Sequence, residues 1–439
     1  MTGARRGLRL LLAAAAVVLA TTPLRAQDAP AAQASPAPPA PPDAKPAEKE
    51  KKPPVSVGTE GFALQSESGD FKLQLRGLVQ LDGRFYLSDE RKLAVDTFLI
   101  RRARPILTGT VSKYFDFNFT PDFGGGNAVI QDAFLNVKGS PRLQARAGKF
   151  KPPIGIEHLQ GDPYLAFAER AFPASLEPNR DVGIQIHGEL GKGVVSYAAG
   201  VFDGTPDGAS VDQDVNDSKD LVGRLFFSPF KTGSSGLKGL GFGVSASTGK
   251  QTGALAVLGP YRTPGQIVFF NYLVTATNAG GTRTRLSPEL SFYSGPFGLL
   301  AEYVKSEGRL QKTGTSQFDK LANQAWQATA TVFLTGDPAA YEGVKVNKPF
   351  DPAKGQWGAL QLAARVMAFE ADPDGFSLGY SDITKSSRKA TAWGIGLNWY
   401  LTRNVKQVVS YERTSFEGGA SGGDRQAENV VFLRTQLAF

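Results

Sequence analysis

The chain has 439 residues, with 50 glycines, 29 phenylalanines, no cysteine and a formal net charge of +8 at pH 7. Four of its arginines fall within the first 26 residues, so the charge of the remainder is about +4, a surplus too small and too evenly spread for a nucleic-acid binder. The absence of cysteine excludes a scaffold held by disulfides.

The first 57 residues are predicted to contribute nothing to a folded core. Three arginines, a short apolar segment and a plausible cleavage site after Ala26 are typical of a secretory signal peptide over 1–26. The apolar segment is shorter than the ~20 residues that a membrane-spanning helix needs. Residues 27–57 are rich in alanine and proline and are predicted to be a disordered periplasmic spacer. The alternative for this segment is a tether to the cell wall or to a partner.

The pattern that begins at Phe71 decides the predicted fold. From Phe71 to Tyr86, apolar and polar residues alternate almost without interruption. Because successive side chains of a strand point to opposite faces, such a strand has one apolar and one charged face. Similar segments recur up to the last residue, Phe439. A repeated two-faced strand in an exported chain is typical of an outer-membrane barrel with a polar lumen.

The connections between these segments support the same fold. Short and long connections mostly alternate, as they do between the periplasmic turns and outer loops of exported barrels. We therefore predict an all-β protein, a transmembrane antiparallel β-barrel of about 16 strands over residues 58–439, with an aqueous channel. Ile267 to Val274 could form an additional strand, and the gap 335–355 breaks the rhythm. The predicted long loops are 151–180, 203–219, 249–281 and 307–322.

The parity of the strands predicts which side chains face the lumen. If the apolar faces contact lipid, basic side chains outnumber acidic ones on the opposite faces. We therefore predict a preference for anions, because a guanidinium donates two parallel hydrogen bonds to carboxylate or phosphate. The alternative is that these arginines pair with lumen carboxylates and only maintain the shape of the barrel. The predicted permeation path consists of Arg76, Arg84, Arg102, Arg104, Arg146, Arg224 and Arg365.

Arg101 is an exception to this parity. It falls on the apolar face, where a charge near the middle of the bilayer costs about 2–4 kcal/mol. We therefore expect Arg101 to lie near a membrane interface or in a subunit contact.

No residues in the sequence suggest catalysis or a cofactor. The two histidines, His158 and His187, lie in a loop and at a strand end, without predictable partners for a metal site or a catalytic dyad. The glycines at 124–126 do not open a helix and so do not form a phosphate-binding loop. We expect a protein that is not an enzyme and holds no metal or cofactor. A barrel enzyme and a structural or adhesive barrel are the alternatives.

Several stretches resemble the phosphate-selective porin O and P family. They are FLIRRARPILTGTVSKYFDFNFTPDFG, QDAFLNVKGSPRLQARAGKFKPPIGIEHL, YLAFAERAFPASLEPNRDVGIQIHG, AGVFDG and VFLTGD followed by NKPFDPAKGQWGALQLAARV. The resemblance covers nearly all of 60–439 and implies a sixteen-stranded homotrimer in the lipid of the Gram-negative outer membrane. It also implies passive uptake of small anions of the phosphate or polyphosphate type, and a long insertion at 335–355.

The same resemblance implies that the loop of about 151–180 folds inward and narrows the channel. In this chain that loop carries three basic and four acidic side chains. A general, weakly selective porin for small polar solutes is therefore the alternative to an anion pore. The residues predicted to act at the constriction are Lys151, Glu169, Arg170 and Arg180.

Overall fold

The computed structural model describes residues 54–439 except 91, 215, 254–258 and 274–276. The predicted signal peptide and nearly all of the predicted spacer lie outside the described residues. Sixteen antiparallel strands form a closed barrel in which each strand pairs with the next. They are β1 (Lys72–Leu87), β2 (Thr97–Val111), β3 (Phe115–Asp122), β4 (Val129–Ser140), β5 (Leu143–Phe150), β6 (Asp181–Leu190), β7 (Val195–Phe202), β8 (Asp220–Phe227), β9 (Leu240–Gly253), β10 (Thr277–Ser294), β11 (Phe297–Lys312), β12 (Phe318–Phe333), β13 (Ala359–Glu370), β14 (Ser387–Tyr400), β15 (Val405–Ala420) and β16 (Glu428–Ala438).

The C-terminal strand closes the barrel. β16 pairs with β1, with Leu437 opposite Val79. Beyond it, the backbone N–H of Gly77 donates to the Phe439 carbonyl at 2.9 Å, and the Phe439 N–H donates back at 3.0 Å. A Cβ at Gly77 would lie 2.7 Å from the Phe439 ring, so only glycine leaves room for that ring. Closure satisfies the backbone polar groups that lipid cannot.

A hairpin precedes the barrel and corrects one predicted boundary. The short strands Val55–Gly58 and Gly61–Gln65 pair with each other, and the second pairs with β1 through Phe62 and Leu75. The last residues of the predicted disordered spacer are therefore ordered, because they extend the sheet at the edge of β1.

Two predictions about the connections are wrong in detail. The predicted loop 307–322 is mostly sheet, because β11 and β12 pair as far as Gln311 and Phe318, which leaves 313–317 as the turn. The possible additional strand at 267–274 is not part of the barrel over its described residues, 267–273. Its central residues, Val268–Phe270, pair with Tyr261–Arg262 in a separate two-stranded sheet.

The remaining connections follow the predicted rhythm, with one ordered insertion. Short turns such as 141–142, 295–296 and 401–404 share one end of the barrel with the chain terminus. The long connection 334–358 lies at this same end and packs there, with Val344 and Val346 buried against Phe333 and Tyr400.

Helices are few and short in the part of the chain that the structure describes. The α-helices are α1 (Ile156–Leu159) and α2 (Asp374–Ser377), and the 3₁₀-helices are Gly124–Gly126, Asp162–Tyr164, Phe172–Ser175 and Pro352–Lys354. Within the described ranges, no helix combines the length and the apolar content needed to cross a bilayer.

Part of the lumen is packed rather than aqueous, which differs from the prediction. The inner faces of β11 to β15 carry apolar residues near their loop ends, and three loops cover them. Aromatic rings from these loops join one buried cluster with the strands, because apolar surface is more stable away from water. The cluster includes Phe172, Leu176, Tyr261, Phe269, Phe270, Tyr272, Tyr380, Met367, Phe369 and Phe416.

Candidate functional site

The loop 151–180, here called the constriction loop, lies inside the barrel and touches several walls. Its Ile156 N–H donates to the Glu302 carboxylate of β11 at 2.8 Å. Its Leu165 carbonyl accepts from the Lys406 ammonium of β15 at 3.0 Å. Ile154, Leu165 and Leu176 are fully or almost fully buried. The loop is therefore anchored across the lumen by both polar and apolar contacts.

The sequence explains why the chain turns inward after β5. Pro152 and Pro153 lack N–H donors and cannot continue the ladder, so the strand ends at Phe150. Gly155 follows with a φ of +78°, a conformation that other residues rarely adopt. A Cβ at Gly155 would also lie 2.0 Å from the Glu177 carboxylate. Glycine is therefore required where the loop enters the lumen.

One side of the constriction loop, here called the arginine flank, is crowded with guanidinium groups. Asp162 binds Arg102 at 3.3 Å and Arg170 at 2.5 Å, and also Arg104. Six arginines share four carboxylates, which leaves two positive charges in excess. The arginines are Arg84, Arg101, Arg102, Arg104, Arg170 and Arg434, and the carboxylates are those of Asp82, Asp122, Asp162 and Glu169.

This crowding keeps the loop carboxylates charged. Burial alone would raise the pKa of Asp162, but its three guanidinium neighbours hold that pKa well below the ordinary value. The pKa of Glu169 is likewise lowered, because Arg101 and its neighbours outweigh the effect of burial. Both carboxylates are therefore anionic at neutral pH and act as electrostatic anchors of the loop.

The opposite side, here called the carboxylate flank, has the reverse charge. It consists of the buried carboxylates of Glu157, Glu177, Glu289 and Glu302. Arg224 binds Glu289 at 2.6 Å, and backbone N–H groups bind Glu302 and Glu157. Neither carboxylate oxygen of Glu177 has a hydrogen-bond partner among the described residues. Burial, and then the neighbouring carboxylates of Glu302, Glu289 and Glu157, raises the pKa of Glu177 well above its ordinary value.

The structure corrects the prediction for Arg101. A β-bulge between β1 and β2 places Gln80 opposite Arg102 but Leu81 opposite Ile100, which leaves Arg101 as the additional residue. Its side chain therefore turns inward and binds Glu169, with distances of 2.6 Å from Nε and 3.1 Å from Nη2. A bulge reverses strict parity locally.

The predicted path arginines all lie on the inner face of the barrel wall, but in different surroundings. Arg84, Arg102, Arg104 and Arg365 are covered by the constriction loop, and each binds at least one carboxylate. Arg76 lies at the turn end of the barrel, 3.8 Å from Glu60.

Arg146 and Arg224 differ from these arginines because they line an open cavity of about 640 Å³ between the constriction loop and the wall of β3 to β8. The part that any of the arginines plays in permeation stays a prediction.

The predicted constriction residues lie close together within the loop. Lys151 donates to the carbonyls of His158 and Gln160, at 2.6 Å and 3.0 Å. Arg170 and Glu169 belong to the arginine flank. Arg180 lies 3.6 Å from Asp132 on β4. These four side chains face protein groups at short range, and their action on solutes stays a prediction.

Sequence reasoning missed several partners of these arginines. Glu412 binds Arg365 at 2.5 Å and is fully buried, and extending the parity rule along β15 could have revealed it. Asp122 lies at the end of β3 and binds Arg104 at 2.6 Å, together with the N–H groups of Ala103 and Gly124. The sequence gives no signal for this second contact set, since it depends on the pairing of strand ends.

The two histidines have ordinary hydrogen bonds. The His158 ring is buried, with Nε2 3.0 Å from the Asn179 carbonyl, and burial lowers its pKa well below the usual range. His187 Nε2 lies 2.8 Å from Asn136 Oδ1. In the described part of the chain, no group of three or more histidine or acidic residues is arranged to hold a metal ion.

The sequence and fold match known porins. The family described as "Phosphate-selective porin O and P" matches residues 71–439. Porin O of Pseudomonas aeruginosa is 22% identical over 420 residues, which cover 86% of this chain and 91% of that protein.

Two solved structures share the fold. The anion-selective porin from Comamonas acidovorans aligns with a TM-score of 0.53 and 12% identity, over 84% of this chain and 100% of that one. A trimer form of the outer-membrane protein OmpT of Vibrio cholerae aligns with a TM-score of 0.51 and 12% identity, over 84% and 99% of the two chains.

Proposed function

This chain belongs to the phosphate-selective porin O and P family of outer-membrane porins, and we propose that the solutes it passes are small anions. Family membership implies a channel rather than an enzyme. The observation that carries the proposal is the excess of guanidinium over carboxylate on the arginine flank, where six arginines share four carboxylates. A net positive charge between low-dielectric walls raises the local concentration of anions.

The second observation in favour of anions concerns the open cavity. Two predicted path residues, Arg146 and Arg224, line it, and one of the two has no carboxylate partner within 4.0 Å among the described residues. The lining also includes the carboxylates of Asp116 and Glu189, so the unpaired positive charge that an anion meets in this cavity is that of Arg146.

Phosphate-type anions are the solutes that the family description names, and we propose them as one class of solute. The same geometry also supports a general, weakly selective porin, because Arg101 and Arg102 are already bound by loop carboxylates. A tight phosphate site needs several guanidinium or ammonium donors that are free to converge on one ligand.

Conductance measurements on the reconstituted protein test both proposals. In planar bilayers with a tenfold KCl gradient, the reversal potential should show that chloride permeates more readily than potassium. A preference for potassium would remove the anion proposal. Adding phosphate to the chloride solution then separates the two candidates, since only a phosphate-selective pore loses most of its chloride current to millimolar phosphate.

We propose a homotrimer as the assembly. The trimer form of a structural neighbour supports it, and so does the length of the wall strands. β3, β5, β7 and β8 have eight residues each, fewer than the 9–11 residues of a typical membrane-spanning strand. A neighbouring copy against this low wall would shield it from lipid. Light scattering of the detergent-solubilised protein should give three chains per particle, and a monomer would contradict the proposal.

A further inference from the structure

Arg146 differs from the other lumen-facing arginines of the barrel wall in having no counter-ion. Within the described residues, no carboxylate lies within 4.0 Å of its guanidinium, and its buried Nε has no hydrogen-bond partner. Two acidic side chains act electrostatically on Arg146, and both already have other basic partners, since Asp116 binds Lys138 at 2.6 Å and Asp132 lies 3.6 Å from Arg180. Arg146 therefore has no ion-pair partner of its own among the described residues.

Two aromatic rings hold this guanidinium in place. Its central carbon lies 4.3 Å from the Phe134 ring centre and 5.4 Å from that of Phe150. Phe134 and Phe150 also pack against each other edge to face, at 5.9 Å. Cation–π contacts fix the position of the group but do not use its N–H donors. The side chain is thus pre-organised, with donors available on the cavity side.

Amide side chains flank Arg146 in the same row of the sheet. Strand pairing places Asn136 of β4 on one side and Gln185 of β6 on the other, and all three line the cavity. Asn136 is occupied by Gln144 and His187. Gln185 is 7% exposed, and its Oε1 has no partner among the described residues. That oxygen is an acceptor and does not bind an anion. The donors that this row offers to an anion are the Arg146 guanidinium and the Nε2 of the Gln185 amide, both from residues that line the cavity.

The constriction loop presents a different surface across the cavity. Pro153 and Leu159 line it from the loop side, opposite the polar row of the wall. The volume of about 640 Å³ falls within the range of small-molecule sites. The cavity therefore combines one charged, hydrogen-bonding wall with an apolar edge.

We propose that Arg146 and Gln185 form a binding site for small organic monocarboxylates, whose apolar parts pack against Pro153 and Leu159. This inference rests on the proposed anion-porin function. The guanidinium fork of Arg146 and the Nε2 donor of Gln185 match the two acceptor oxygens of a planar carboxylate. A phosphate dianion has more oxygens to satisfy and leaves an apolar edge without a partner, so the site disfavours it.

Block of the chloride current by benzoate and by phosphate tests the proposal. In planar bilayers, benzoate should block the chloride current of the unmodified channel. The substitution Arg146→Gln should raise the half-blocking benzoate concentration about 10-fold, which is the loss expected for one charge-assisted hydrogen-bonded pair. It should change phosphate block less than twofold. Arg146→Lys keeps the charge but not the fork, so benzoate block should fall while the reversal potential stays anion-selective.

Arg413→Gln is the matched control. Arg413 is exposed on the outer face of β15, so this substitution removes the same charge at a position away from the lumen. Its benzoate block should equal that of the unmodified channel. If benzoate blocks the Arg146→Gln channel as strongly as the control channel, or if Arg146→Gln weakens phosphate block as much as benzoate block, the inference is overturned. A channel that prefers cations, or no channel at all, would instead refute the porin proposal itself.

Discussion

The arginine flank and the carboxylate flank hold the same loop by different means. On the arginine flank, side-chain charges meet side-chain charges, as between Asp162 and Arg170 at 2.5 Å. On the carboxylate flank, the wall holds the loop through a carboxylate that accepts from backbone N–H groups, as between Glu302 and Ile156 at 2.8 Å. Only the carboxylate flank contains a carboxyl group, that of Glu177, without a hydrogen-bond partner among the described residues.

The difference shows how the two flanks respond to a change in charge. Removing one carboxylate from the arginine flank leaves several buried guanidinium groups uncompensated, which lowers the free energy of unfolding. Removing the unpaired carboxylate from the carboxylate flank relieves repulsion. Substitutions of similar size should therefore have opposite effects on the stability of the barrel.

Asp162→Asn should have the largest effect. It removes the shared counter-ion of Arg102, Arg104 and Arg170, and the loss of one partner from a buried ion pair costs about 3–5 kcal/mol. Urea unfolding in lipid vesicles, followed by tryptophan fluorescence, should show this decrease in the free energy of unfolding. The released loop should also make single-channel current noisier.

The control for Asp162 is Asp116→Asn, whose partly exposed carboxylate pairs with Lys138. A partly exposed pair contributes about 0–1 kcal/mol, so this variant should unfold almost like the unmodified protein. Equal losses for the two variants would mean that Asp162 is not an anchor of the loop.

Arg101→Gln should have the next largest effect and tests the bulge between β1 and β2. It removes two hydrogen bonds to the buried Glu169 carboxylate, for which the expected loss is about 1.5–3 kcal/mol. Arg76→Gln removes an exposed pair at 3.8 Å and should cost at most about 1 kcal/mol. The same unfolding assay compares them, and a harmless Arg101→Gln would place that side chain on the lipid face instead.

Glu177→Gln should have the smallest effect, with the opposite sign at high pH. The pKa of Glu177 is raised in the folded protein, so the folded state holds this proton more tightly than the unfolded state does. The free energy of unfolding is therefore undiminished below the pKa of about 4.5 that this carboxyl has in the unfolded chain. It decreases as pH rises through the pKa of Glu177 in the folded protein. The amide has no charge to repel Glu302, Glu289 and Glu157, although it also loses attraction to Arg170.

Thermal unfolding at pH 5 and pH 9 measures this effect. The unmodified protein should lose more stability between the two values than Glu177→Gln does. The control is Glu67→Gln, because Glu67 lies on an exposed turn before β1 and this substitution removes a charge without touching the constriction loop. Gln185→Glu is not suitable, because Gln185 lies in the proposed binding row. An identical pH response in Glu177→Gln and the unmodified protein would show that this carboxyl is not protonated in the folded state.

The sequence by itself determined the barrel. Strands that cross a membrane must alternate apolar and polar residues, and the segment from Phe71 to Tyr86 follows this period. The same parity placed Arg76, Arg84, Arg102, Arg104, Arg146, Arg224 and Arg365 on the inner face. It could not show which of them would be covered. That depended on how the constriction loop crosses the lumen, and the loop has no period from which its path could be inferred.

Only the tertiary structure decided the contacts that distinguish these arginines. The bulge that turns Arg101 inward depends on the pairing register of two strands, not on either strand alone. The carboxylate partners come from residues far away along the chain, as with Arg365 and Glu412 or Arg434 and Asp82. Alternation is a local property of the backbone and can be read from sequence, whereas charge pairing inside a closed barrel is set by which walls face each other across the lumen.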